Sequence, residues 1–151
     1  MVKKIPDGYH SVTPYLVLDN AKAAIDFYTR AFGAKELFRM PRGEHIGHAE
    51  LQIGNSRIML ADENPQSDAY SAKHYKGSPI SLMIYVEDAD AFTQKAVAAG
   101  ATIIRPVQTQ FYGDRSGVLL DPHGYTWTIA THVEDVSPEE MNKRMKAAAA
   151  G

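Results

Sequence analysis

The chain writes one pattern twice. Residues 12–32 (VTPYLVLDNAKAAIDFYTRAF) read as a short apolar strand, an acidic cap and an amphipathic helix, and residues 80–99 (ISLMIYVEDADAFTQKAVAA) read the same way. Each copy runs into a Gly-Ala hinge, Gly33-Ala34 and Gly100-Ala101, and then another strand. A repeat of about half the chain length constrains the fold strongly, because two similar modules pair and paired modules enclose a pocket.

Composition narrows the classes of function. At 151 residues the chain buries roughly 70% of its unfolded surface without needing a staple. With 44% hydrophobic and 23% charged residues, the profile is that of a soluble globular domain. A net charge of −2, with scattered Lys and Arg, argues against nucleic acid as a partner. No stretch reaches the ~20 apolar residues needed to span a bilayer. The N-terminus has no apolar run after its two lysines, so no membrane partner and a cytoplasmic location are expected. The absence of cysteine removes disulfides, thiolate nucleophiles and Cys-ligated metal sites.

Along the chain, a strand near Val12–Leu18 is followed by a helix capped by Asp19 or Asn20. Ala21, Ala24, Ile25, Tyr28 and Phe32 make its apolar face. A strand near Lys35–Met40 is expected to stop at Pro41 and Gly43. Residues 48–53 alternate as a half-buried strand, and Gly54-Asn55 turns it into Ser56–Ala61. Residues 62–79 form the one long polar stretch, which is a module linker, a mobile lid, or both. The second copy supplies Ser81–Val86, a helix from Asp88 to about Ala99, Thr102–Val107, and strands near Ser116–Leu120 and Tyr125–Thr131. Asp121-Pro122-His123-Gly124 joins the last two, with His123 expected to be exposed. Ser137-Pro138-Glu139-Glu140 is a capping box that opens a helix carrying Met141 and Met145. The expected class is α+β: two βαβββ modules forming a curved mixed sheet around a concave pocket, helices outside, plus a C-terminal helix. Residues 1–132 form one domain, with modules at about 10–62 and 80–132 and a linker at 63–79; residues 133–151 are a helical tail.

Strand side chains alternate between faces, and the helices must cover the more apolar one. Leu16, Leu18, Ala49, Leu51, Ile53, Ile58 and Leu60 therefore point to the helices, Leu82, Ile84 and Val86 lie under the second helix, and Tyr125, Trp127 and Ile129 point outward as well. That leaves Thr13, Tyr15, His48, Glu50, Arg57 and Met59, with Ser81, Met83, Tyr85 and Thr128, facing the concavity. Tyrosine, methionine and threonine with a few ionisable groups suit a small, partly aromatic organic ligand. His48 and Glu50 are the candidates for acid–base chemistry, since a carboxylate two residues away on one face orients an imidazole. A solvated strand face is the alternative.

These residues resemble the vicinal oxygen chelate superfamily, the glyoxalase, bleomycin-resistance and extradiol-dioxygenase group. The likeness rests on Leu18-Asp19-Asn20 leading into Ile25-Asp26-Phe27-Tyr28, on Phe32-Gly33-Ala34, and on Asp121-Pro122-His123-Gly124-Tyr125. His48-Ala49-Glu50-Leu51 and Tyr112-Gly113-Asp114-Arg115 bring the chain nearest to the PhnB-like subfamily. Enzymes of that group hold a divalent metal with four inward side chains, which fall here at Thr13, Met59, Ser81 and Thr128. Three hydroxyls and a thioether are poor ligands for such an ion, so no cofactor and no metal site are expected.

The resemblance therefore implies a metal-independent binder of a small organic molecule, and Asp114-Arg115 reads as an ion pair at the pocket edge or as a surface bridge. The alternative is a lyase, isomerase or dioxygenase-like enzyme using a displaced divalent metal or His48/Glu50 chemistry. The superfamily's habit of pairing chains implies a homodimer.

Overall fold

The computed structural model describes all 151 residues. Module one comprises β1 (Tyr15–Leu18), α1 (Ala21–Phe32), β2 (Lys35–Arg42), β3 (His45–Ile53) and β4 (Ser56–Asp62). Module two repeats the order as β5 (Leu82–Tyr85), α2 (Ala89–Ala99), β6 (Thr102–Thr109), β7 (Asp114–Leu120) and β8 (Thr126–His132), and α3 (Pro138–Ala150) forms the tail. The sheets run β1-β4-β3-β2 and β5-β8-β7-β6. In each, the first strand pairs in parallel with the last, and the other pairs are antiparallel.

The helix ends follow from local chemistry. The Asn20 side chain accepts a hydrogen bond from the Ala23 amide, Asp88 does the same for Ala91, and Ser137 for Glu140. Gly33 ends α1 at φ 67°, a left-handed conformation that costs glycine little. Deeper in each module, the last strand returns to the helix start. Asp62 accepts from the Ala21 amide at 2.7 Å, and Thr131 Oγ1 accepts from the Ala89 amide at 2.9 Å.

Strand bounds change in two respects. Strand β2 does not stop at Pro41 but runs to Arg42, with a register shift between Met40 and Pro41. It is an edge strand, where a missing N–H costs no ladder bond. The first strands of both modules are shorter than read, beginning at Tyr15 and Leu82. The paired βαβββ modules are as expected, each a four-stranded mixed sheet, and no strand of one pairs with a strand of the other.

The helices join the modules instead. Phe32 of α1 stacks on Phe92 of α2 at 5.6 Å, and Tyr28 and Phe32 pack against Trp127 at 5.4 and 4.8 Å. Leu16, Leu18, Leu51, Leu60, Trp127 and Ile129 all lie in one buried cluster with α1. The opposite faces stay open, with Tyr15 50%, Met83 47% and Tyr85 60% exposed.

One buried carboxylate reinforces this junction. Asp121 Oδ2 accepts from the Tyr28 hydroxyl (2.6 Å) and Trp127 Nε1 (2.9 Å), while Oδ1 accepts from the His123 and Tyr125 amides. The Tyr125 hydroxyl then donates to the Val17 carbonyl, and His123 Nδ1 lies 2.8 Å from Asp19. His123 is thus buried at the junction, contrary to the expected exposed turn. Its partner is far away in sequence. Burial and the Asp121 charge push the Tyr28 phenol well above its ordinary range.

Candidate functional site

Strand register builds a polar row on the open face of module one. Tyr15 lies opposite Met59, Met59 opposite Glu50, and Glu50 opposite Phe38. His48 is two residues from Glu50 on the same face, opposite Met40. The Tyr15 hydroxyl lies 2.8 Å from His48 Nδ1, and His48 Nε2 lies 3.2 Å from Glu50 Oε2. The hydroxyl of Tyr9, in the segment before β1, donates to the other oxygen of Glu50. A carboxylate only accepts, so in the neutral imidazole Nε2 carries the proton and Nδ1 accepts from Tyr15. Partial burial raises the Tyr15 phenol above its ordinary value, which keeps that hydroxyl protonated and able to donate.

The remaining expected site residues divide. Arg57 donates to Gln52 Oε1 at 3.0 Å and to the Asp7 carbonyl at 3.1 Å, and sits 5.0 Å over the Tyr9 ring. It therefore clamps the N-terminal segment. Thr13 and Met83 line a cleft of about 510 Å³ between that segment, the β3–β4 hairpin and β5, together with Arg57, Tyr85 and Trp127. Thr128 lies opposite Met83, and Ser81 is exposed just before β5.

Arg115 does not pair with Asp114 and does not reach the concave side. It forms a two-pronged salt bridge with Asp90 at 2.6 and 2.9 Å, in the first turn of α2. The alternation of β7 explains this, because Asp114 and Arg115 must point to opposite faces. The Arg115 guanidinium holds the Asp90 carboxyl below its usual range.

Sequence reasoning missed a second polar cluster. Asp114 accepts from the Tyr85 hydroxyl at 2.8 Å and lies 2.8 Å from His132 Nδ1, whose Nε2 lies 2.7 Å from Asp135. Asp135, then Asp114, hold the His132 imidazole above its ordinary value. Tyr9 was missed too, because its partner Glu50 is 41 positions away and no local pattern links them.

The donor set expected of the metal-dependent relatives does not fit a divalent ion. Thr13, Met59, Ser81 and Thr128 offer no charge to offset the ion's desolvation. No three His, Asp or Glu side chains are gathered elsewhere so as to hold one.

Comparison with known proteins agrees with this architecture. An uncharacterized protein of Mycobacterium tuberculosis is 37% identical over 141 residues, covering 91% of this chain and 83% of its own length. The crystal structure of TioX from Micromonospora sp. ML1 superposes with a TM-score of 0.65 at 26% identity, covering 82% of this chain and 99% of TioX. The PhnB protein of Bacillus cereus shares the fold, with a TM-score of 0.62 at 18% identity over 81% of this chain and 99% of its own. No helix is long and apolar enough to cross a membrane. The family model for the Glyoxalase/Bleomycin resistance protein/Dioxygenase superfamily matches residues 9–129, and the chain belongs to that superfamily.

Proposed function

We propose that the chain binds a small, partly aromatic organic molecule on the concave face of module one, without a metal ion. The observation that carries this reading is the hydrogen-bonded row Tyr9–Glu50–His48–Tyr15, set among the exposed side chains of Phe38 and Met40. Such a face combines apolar contact area with a few fixed polar groups, which is how small-molecule sites obtain affinity and orientation together. The uncharged donor set at Thr13, Met59, Ser81 and Thr128 supports the metal-free form.

A second copy of the chain would cover the exposed Phe38, Met40, Met83 and Tyr85, so a homodimer is part of the proposal. Light scattering at micromolar concentration tests it, and a monomer refutes it.

The test of binding is a thermal-shift screen of protein purified without chelator. Compounds with one ring and one polar group raise the melting temperature by mass action, and their chemical-shift changes map to β3. A stoichiometric divalent ion in the purified protein overturns the metal-free reading.

One observation favours a second reading, an enzyme using acid–base chemistry. Glu50 orients His48, and the unprotonated imidazole nitrogen accepts from the Tyr15 hydroxyl, the arrangement of a base beside an O–H. His48→Gln separates the two: binding changes a few-fold, whereas turnover is abolished.

A further inference from the structure

The linker builds a hollow that the repeat alone would not. Glu63 accepts hydrogen bonds from the Ser71 amide and hydroxyl, Asn64 bridges to Ala69, and Ser71 and Ala72 are buried. This anchorage sets Tyr70 and Tyr75 beside the outer edge of β1. With Tyr15, Tyr125, Val17 and Pro79 they wall a space of about 260 Å³ that no charged side chain lines.

Three of the four rings are held in place. The Tyr15 hydroxyl is fixed by His48 and that of Tyr125 by the Val17 carbonyl. The Tyr70 ring stacks on His74 at 4.2 Å and meets Tyr75 edge-on at 6.3 Å. Tyr75 nevertheless leaves 65% of its surface exposed, so aromatic area remains without a partner.

We propose that this hollow takes a neutral planar aromatic ring, as the aromatic part of the ligand assigned to module one. The inference rests on that reading, because Tyr15 belongs both to the hollow and to the His48–Glu50 row. The volume lies just below the ~300–1,000 Å³ of drug-sized sites, which suits one or two fused rings. Four tyrosine rings in the wall favour an aromatic guest through offset or edge-on contact beyond simple burial. The absence of a lining carboxylate, with Lys73 and Lys76 flanking Tyr75 in sequence, disfavours a cation.

Titration of the full chain with indole, cyclohexanol and tetramethylammonium, followed by amide chemical shifts, tests the proposal. Indole is expected to shift the amides of residues 70–77 and Val17, and to bind at least about threefold tighter than cyclohexanol. Tyr75→Ala, at an exposed position, is expected to weaken indole about three- to tenfold, with Tyr70→Leu as an independent second variant. Unmoved linker amides, indole bound equally by wild type and both variants, or tetramethylammonium binding more tightly than indole would each overturn it. Failure is separable from that of the parent reading. Screening hits that shift β3 while indole leaves the linker unmoved sink the hollow alone; indole in the hollow with no hit on β3 sinks the parent reading.

Discussion

The two modules share a topology but put their polar groups in different places. Module one carries Glu50 and His48 in the middle of its open face, where Met59 and Phe38 flank Glu50 in register and Tyr15 lies beyond Met59. By register, Met59 of module one corresponds to Thr128 of module two, and Tyr15 to Met83. Glu50 then corresponds to Val118, opposite Thr128 on β7. The second row, Met83–Thr128–Val118–Arg105, therefore holds neither a carboxylate nor an imidazole. The carboxylate and imidazole of that face lie at the strand ends, where Tyr85, Asp114, His132 and Asp135 form a chain leading into the tail. The same scaffold leaves the polar row of one face open and uses the other's polar groups to hold the C-terminal segment. Gly113, beside Asp114, marks how close that segment comes: at φ 103°, a Cβ there would lie 2.1 Å from the Glu134 carbonyl oxygen.

The largest effect is expected where the modules meet. Asp121→Ala strands two buried donors, Tyr28 Oη and Trp127 Nε1, and frees two amides of the turn. Each stranded donor costs about 1–3 kcal/mol, so a loss of about 3–5 kcal/mol is expected from the urea midpoint. A loss under ~1 kcal/mol would mean that the helices alone join the modules.

The helix anchors give a smaller contrast. Asp62 accepts from the Ala21 and Ile46 amides, whereas Thr131 accepts only from Ala89 and donates to the Val86 carbonyl. Asp62→Ala should cost about 2–4 kcal/mol and Thr131→Val about 1 kcal/mol in the same assay. Equal losses would break the asymmetry between the modules.

Much of this architecture was legible in the residues because it is local. The alternation of Leu16 and Leu18 with Tyr15, and of Ala49 and Leu51 with Glu50, placed the buried and open faces. Asn20, Asp88 and Ser137 marked the helix starts through contacts three residues away. What escaped was long in range or decided by position in the sheet. His123 meets Asp19 across 104 positions, and Arg115 meets Asp90 across 25. Pro41 reads as a breaker in any strand, and only its place at the sheet edge makes it harmless. In the candidate site, the His48–Glu50 pair followed from spacing alone. Tyr9 and the tyrosines of the linker did not, since nothing periodic joins them to β1.

The subtlest expected effect is one of pH, at the rim of module two. His132 sits between Asp135 and Asp114, with the Tyr85 phenol on the far side of Asp114; these are the titratable groups around it. The two carboxylates raise the folded imidazole above the value of the unfolded chain, near 6.5. A raised folded value favours the native state most when both states are protonated. The contribution is thus complete below about pH 6.5 and disappears as pH climbs through the raised folded value. Comparing melting temperatures of wild type and His132→Gln from pH 5.5 to 9 isolates it, because the other histidines are common to both. The wild type's advantage should be widest at the acid end and narrow with rising pH. A difference that stays constant would show that His132 does not bridge the two carboxylates in solution, and the division of labour between the two faces would lose its anchor at the tail.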